Sequence, residues 1–418
     1  MGLGNDLTSV AEAVDGARVL RRLAELAEIG ADEAGGTSRI AFSPAERQAQ
    51  DLAAGWMRDA GLDVRFDDFG NMFGSNDGGA SGATVSLCGS HLDTVPNGGR
   101  FDGALGVVAA IEAVEAMRAS RRLPDRPLEV VVWRCEEPVR FAQGKAGSLV
   151  FSGMVTMDEL RPIEEPPFDL RAALAAEGSR PSRDSTRVVA SCLELHIEQG
   201  PRLERARRQL GVVTAIAAPI RLEATFRGSA AHSGATPMAD RFDALCAAAE
   251  LVLAVEREAT AEAPHESVAT TASIRVEPGA MNVVPGEAVL LIDVRGVVGE
   301  SMRRIASAVH RHAAEIAARR GIHAHVEVLS AADPTPLSPD VVSLLYETVE
   351  LLGYLPTLLA SGAGHDAQCL AGFADVGMLF VPSVEGISHS PHEFTADDDV
   401  VVGARALAAS WWRVASNQ

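Results

Sequence analysis

The chain has 418 residues, enough for two or three domains, and its 47% hydrophobic and 22% charged content is that of a globular protein with a substantial core. A formal net charge of −20 argues against nucleic acid or an anionic membrane surface as partner, because both are held by clustered Lys and Arg. A small anionic substrate stays open, since a local field can oppose the global one, and no stretch reaches the roughly 18 uninterrupted apolar residues of a membrane-spanning helix.

In chain order, Met1 to Gly30 lacks the basic start and apolar run of a secretory leader. The spacing of Val14, Val19, Leu23, Leu26 and Ile29 predicts an amphipathic surface helix there instead. Ala83 to Gly89 is a short apolar strand ending at Ser90-His91, Ala104 to Arg118 is strongly helical, and Leu128 to Trp133 is a buried strand ending near Glu136-Glu137. Leu193 to Ile197 and Val376 to Pro382 read as two further strands. This alternation is that of an α/β layer fold. From about Thr214 to Ser330 the pattern changes to strand Ile220–Arg227, helix Arg241–Glu258, strands Thr270–Val276 and Ala288–Arg295, helix Ser301–Arg320 and strand Ile322–Leu329. That β-α-β-β-α-β order is complete in itself and predicts an inserted domain, with Pro334 and Pro336 in the return linker. The five cysteines, Cys88, Cys135, Cys192, Cys246 and Cys369, are odd in number, scattered and form no CxxC, as in a reduced cytoplasmic protein with buried thiols.

The informative feature is where the metal-capable side chains fall. His91 and Asp93 follow one strand, Asp102 precedes a helix, Glu136 and Glu137 follow a second strand, His196 ends a third and His389 lies in the loop after the fourth. Ligands of open α/β sheets bind at the carboxyl ends of strands, so these groups are placed to converge on one crevice. Imidazole and carboxylate without Cys suit Zn²⁺, Mn²⁺ or Co²⁺. Two such ions sharing a water lower its pKa, and of two adjacent glutamates one can bind metal while the other moves protons. Taken singly, each residue has a plainer explanation: Asp102 as a helix N-cap, the glutamate pair as solvated charge, a lone histidine as a surface group. Their common position at strand ends tips the balance toward a metal site.

The motifs Gly89-Ser-His-Leu-Asp-Thr-Val, Asn97 to Gly106, Cys135-Glu-Glu with Arg140-Phe141, and Glu194 to Pro201 occur in order. Ala231 to Met238, Asn282 to Gly286 with Asp293-Val-Arg295, Ser361 to Ala367, and Gly386-Ile-Ser-His389 follow. Almost end to end, the chain resembles the dinuclear metal amidohydrolases of the N-carbamoyl-L-amino-acid hydrolase, allantoate amidohydrolase and β-ureidopropionase group, within the aminoacylase and carboxypeptidase G-like clan. The resemblance implies an α/β, metallopeptidase-like mixed-sheet catalytic domain over 1–213 and 331–418, with a ferredoxin-like lid and dimerisation domain over 214–330. It implies two divalent ions per subunit (Zn²⁺, or Mn²⁺/Co²⁺/Ni²⁺) on His91, Asp102, Glu137, His196 and His389, Asp102 bridging. Glu136 would be the general base, and Asp93 would orient the His91 ring. His232 would reach a partner subunit's site to stabilise the oxyanion. Gln199, Asn282 and Arg295 would hold a small carboxylate substrate, with Gly362, Ala363 and Gly364 giving backbone contacts and His365 nearby.

Without that resemblance, Arg295 would be read as pairing with a surface acid, His232 as solvent-facing and Asn282 as a turn residue before Pro285-Gly286. Pro138 stands where the group more often has Gly or Ser and confines Glu137 to extended geometry, which is compatible with ligation. His392 is a second imidazole near His389; the position in Ile-Ser-His favours His389. The implied reaction is hydrolysis of a linear amide or ureido C–N bond, a carbamoyl substrate yielding ammonia, carbon dioxide and the amino acid. The alternatives are an allantoate amidohydrolase, an aminoacylase or dipeptidase of the same fold, and, from another class, a non-catalytic carboxylate-binding relative. A serine hydrolase is disfavoured by the lack of a G-x-S-x-G elbow.

Overall fold

Two short helices open the chain in place of the expected single one: Leu3–Glu12 and Gly16–Glu28 in the computed structural model, which describes residues 3–164, 166–178 and 180–416. Met1 and Gly2 of the expected helix therefore lie outside the described residues. The break falls at Asp15, which leaves helical geometry (φ −84°, ψ 90°) and accepts the amide of Arg18, capping the second helix. Capping chemistry at one residue thus interrupts a periodicity that otherwise holds, for Val14, Val19, Leu23, Leu26 and Ile29 are all buried.

Four parallel strands form the centre of a mixed sheet, in the spatial order Leu128–Trp133, Thr84–His91, Val188–Ile197 and Asp375–Val381. Leu128–Trp133 is buried at every position, as a near-continuous apolar run must be when both faces are covered. Antiparallel strands Met72–Ser75 and Asp63–Phe66 extend one side, and Gly211–Ile216 pairs antiparallel with Asp375–Val381 on the other. Helices Ala104–Ala119 and Asp397–Ala415 pack on each other and on this sheet. Because the central strands are parallel, their carboxyl ends share one edge: His91 is level with Trp133, and His196 with Phe380.

The chain divides into two compact units after Thr214 and after Thr335. In the inserted unit the order is strand Ala218–Arg227, helix Ala244–Glu262, strands Val268–Glu277 and Glu287–Gly296, helix Gly299–Arg320 and strand His323–Ala331. These four strands form one antiparallel sheet, His323–Ala331 and Val268–Glu277 at its edges. Alternate residues Ile220, Leu222, Ala224 and Phe226, with Ala288, Leu290, Ile292 and Val294, are buried in one cluster with Leu251 and Val255 of the first helix and Ile305 and Val309 of the second. The other alternation carries Arg221, Glu223, Leu291, Asp293 and Arg295, half-buried or exposed.

Candidate active site

Asp102 is the centre of the site. Its Oδ1 lies 3.4 Å from His91 Nε2 and 3.2 Å from His196 Nε2, while its Oδ2 lies 3.4 Å from His389 Nε2. His389 Nε2 is in turn 3.3 Å from Glu137 Oε1. The five side chains form two donor sets, His91/Asp102/His196 and Asp102/Glu137/His389, each with its ligand atoms within 4.8 Å of one another and Asp102 common to both. A third such set, Glu194/His196/His365, shares His196, although Glu194 is already engaged by Ser90 Oγ and the Ala367 amide.

Local structure aims these groups. Gly103 (φ 65°), not Asp102, occupies the N-cap of helix Ala104–Ala119, so the plainer reading of Asp102 does not hold. A Cβ on Gly103 would come within 2.5 Å of the His91 ring, so only glycine lets the Asp102 backbone approach so closely. His91 Nδ1 contacts the Asp93 carbonyl oxygen at 2.9 Å and His196 Nδ1 the Ile197 carbonyl oxygen at 3.0 Å. With Nδ1 occupied, Nε2 is the nitrogen turned toward a cation, although in His196 it accepts the Gly103 amide at 3.2 Å. The Asp93 carboxylate, expected to orient His91, is 3.9 Å from that ring. It accepts instead the amides of Glu136 (3.2 Å) and Glu137 (3.0 Å), and so fixes the glutamate pair. His91 is oriented by the same residue's main chain, a distinction invisible in sequence.

Burial sets the electrostatics. Asp102 would be raised by burial alone, yet His196, His389 and His91 hold it well below the usual carboxylate range. Burial pushes the Glu136 carboxyl well above that range, His91 opposing and Glu137 and Asp366 adding; its Oε2 is 4.0 Å from His91 Nε2. Hydrogen bonds to Asp102 and Glu137 raise His389 to about 10. His365 goes the other way, well below the ordinary imidazole value, through burial and the adjacent His196 ring 4.6 Å away. The donor chemistry fits a pair of divalent ions: three imidazole nitrogens and two carboxylates, in two sets hinged on one carboxylate.

Other expected site residues fall in two groups. Gln199 (φ 56°) is at the centre: its Nε2 donates to Asp102 Oδ2 at 2.7 Å and is 3.4 Å from His389 Nε2, while its Oε1 is buried without a hydrogen-bond partner. Gly362, Ala363 and Gly364 follow strand Thr357–Ser361, and Ser361 Oγ, which accepts the Ala363 amide, is 2.8 Å from His365 Nε2. A Cβ on Gly364 would meet Lys145 Nζ at 2.6 Å. Lys145, the only lysine in the chain, has a left-handed backbone (φ 64°) and donates its amide to the Glu136 carbonyl oxygen at 2.6 Å. Arg140 is engaged structurally, donating to the Ala41 carbonyl oxygen, pairing with Glu164 and lying over the Phe168 ring. His392 is exposed and, among the described residues, belongs to no metal-capable set.

The remaining three lie in the inserted unit. His232 is exposed, and its Nδ1 accepts the amides of Gly234 and Ala235, both at 3.1 Å. The neutral ring must then carry its proton on Nε2, as a donor. Asn282 is exposed and joined to the His232 loop, its carbonyl oxygen accepting the Ser233 amide. Arg295 Nε donates to Asp293 Oδ2 at 2.7 Å with the side chain 41% exposed. Ser388 and Glu393 also contact Asp102, and in the sequence only their proximity to His389 signals this.

Parallel strands delivering imidazoles and carboxylates to one sheet edge define a hydrolase-type centre, and the comparisons with known proteins agree. Residues 87–413 match the model of peptidase family M20/M25/M40, and the chain belongs to that family. It is 38% identical to an N-carbamoyl-L-amino acid amidohydrolase of Geobacillus stearothermophilus over 97% of this chain and 100% of that one. It is 34% identical to an allantoate amidohydrolase of Bacillus subtilis over 93% and 95%. Among solved structures, an amidase of the hydantoinase/carbamoylase family from Burkholderia multivorans superposes with a TM-score of 0.89 at 34% identity, covering 96% of this chain and 98% of that one. Among the described residues, no helix is long and apolar enough to cross a membrane.

Proposed function

We propose that this chain hydrolyses the ureido C–N bond of an N-carbamoyl-L-amino acid or related ureido acid, giving the amino acid, carbon dioxide and ammonia. The observation that carries the reading is Asp102, one carboxylate shared by two donor sets. Likeness to an N-carbamoyl-L-amino acid amidohydrolase over nearly the whole of both chains supports the substrate class.

His91, Asp102 and His196 would hold one divalent ion and Asp102, Glu137 and His389 the other, as Zn²⁺ or Mn²⁺/Co²⁺/Ni²⁺. Such a pair, when bound, supplies acidification of water and polarisation of a carbonyl. Glu136, 13% exposed and beside His91, takes the proton of the attacking water and returns it to the departing nitrogen. Asp93 keeps that carboxylate in place through the main-chain amides it accepts. Gln199, with its unpartnered Oε1, offers a polar contact to substrate once its amide turns from Asp102.

The inserted unit acts as lid and dimerisation surface of a homodimer. There His232 would donate from Nε2 to the developing oxyanion across the dimer, and Arg295 with Asn282 would grip the substrate carboxylate. The Gly362–Gly364 turn lines the pocket. We place the protein in the cytoplasm, on its five free cysteines.

A panel of N-carbamoyl, N-acetyl and other ureido acids, presented to protein reconstituted with Zn²⁺ or Mn²⁺, tests the reading. Ammonia release from carbamoyl amino acids is expected; turnover of N-acetyl amino acids alone would replace this reading with an aminoacylase. Allantoate belongs in the panel because the chain is also similar, over 93% of its length, to an allantoate amidohydrolase.

A further inference from the structure

Glu393 is a carboxylate only 4% exposed that, among the described residues, has no ion-pair partner. Burying such a group is costly unless hydrogen bonds compensate, and here they are concentrated on the ligand loops. Its Oε1 accepts the amides of Phe101 (2.9 Å) and Asp102 (3.1 Å). Its Oε2 is 2.9 Å from Ser388 Oγ, which lies 3.0 Å from Asp102 Oδ2, so the single hydroxyl proton is shared between two carboxylates. The Asn97–Asp102 loop is shaped to receive it: a Cβ on Gly99 would sit 2.0 Å from the Glu393 carboxyl. One side chain therefore clamps the segment bearing Asp102 to the segment bearing His389, nearly 300 residues apart.

We propose that Glu393 is a positioning residue, holding Asp102 and the His389 loop in the geometry that lets one carboxylate serve both donor sets. This rests on the two-ion reading above. The clamp is geometric. A glutamine can reproduce it, its oxygen accepting the two amides and its nitrogen donating to Ser388 Oγ, whereas alanine leaves the two buried amides without their acceptor and the Ser388 hydroxyl tied to Asp102 alone.

Titration of metal-free wild type, Glu393→Gln and Glu393→Ala with Mn²⁺ or Zn²⁺ alone, followed calorimetrically, tests this without reference to turnover. Wild type is expected to take up two ions and Glu393→Gln nearly the same. Glu393→Ala is expected to weaken the second ion about 10–100-fold, the range found when the partners that orient metal ligands are lost. Wild type and Glu393→Ala binding two ions with equal affinities would overturn the clamp and leave the two-ion reading intact. Wild type binding none would remove both. If Glu393→Ala does not fold, Ser388→Ala cuts the hydroxyl link from Glu393 to Asp102, together with a 3.4 Å contact to Gln199 Nε2; weakening of one ion by about tenfold supports the clamp, and unchanged affinities refute it.

Discussion

Arg134–Glu46 in the larger unit and Arg304–Glu262 in the inserted one are both separated by 2.7 Å, yet the first pair is 0% and 1% exposed and the second 49% and 17%. The larger unit takes charge inside: Arg39, Arg134, Glu46, Asp102 and Glu194 are all buried. The inserted unit keeps charge on its surface and buries an apolar face of a single sheet. The same bond length therefore carries different energy. A buried ion stripped of its partner is costly, while an exposed pair is largely screened by water. The contrast teaches that the larger unit, whose sheet is covered on both faces, buries ion pairs at both ends of its strands, Arg134–Glu46 at one and Arg183–Glu129 at the other, while the inserted unit leaves its pairs to solvent.

The comparison can be tested from its strongest consequence downward. Glu136→Gln should cut kcat by about 10²–10⁴-fold at unchanged metal content, measured by ammonia release and elemental analysis; undiminished turnover would remove Glu136 from the chemistry. Arg134→Ala should destabilise by about 3–5 kcal/mol, read from the urea midpoint, because Glu46 and Glu177 lose the cation that both face. The matching Arg304→Ala should cost at most about 1 kcal/mol, and equal losses would erase the contrast.

In the inserted unit apolar contact is what counts. Leu290→Ala, at a fully buried position, should cost about 2–5 kcal/mol, whereas its neighbour Leu291→Ala, on the other side of the strand and 40% exposed, should change urea stability little. The smallest effect is acidic. Hydrogen bonds from Arg304 and Ser301 hold Glu262 down from 4.5 to about 2. A depressed carboxyl stabilises the fold above its ordinary value and loses that contribution as pH falls toward 2. Glu262→Gln should therefore differ most from wild type near neutrality and converge with it between pH 5 and pH 2, followed by thermal unfolding; a constant gap would show that the pair goes unfelt.

What could be read in the sequence follows a physical line. His91, His196 and the glutamate pair are legible at or just beyond strand ends because buried parallel strands are largely apolar runs, and metal-capable residues near the end of such a run fall at the sheet edge. The strands Asp63–Phe66 and Met72–Ser75, the first of them at the sheet edge, are not legible, being four residues each with no sustained alternation. The helix break at Asp15 was hidden because a cap is one residue inside an unbroken apolar period. Asp93 was found but its atoms were not: main-chain carbonyl and carboxylate divide its two tasks, which no residue pattern encodes. Glu393 escaped for a related reason, since its partners are backbone amides nearly 300 positions away.

Lys145 has a practical consequence. With 36 of the 37 Lys and Arg residues being arginine, amine-directed reagents find one side chain in the whole chain, beside Glu136 and the Gly364 turn, besides any free α-amino group. Cross-linking or resin attachment through lysine would therefore anchor the molecule beside Glu136 and the Gly364 turn. A Lys145→Arg variant would instead give a chain with no side-chain amine, to which a single new lysine could be added anywhere as a unique handle.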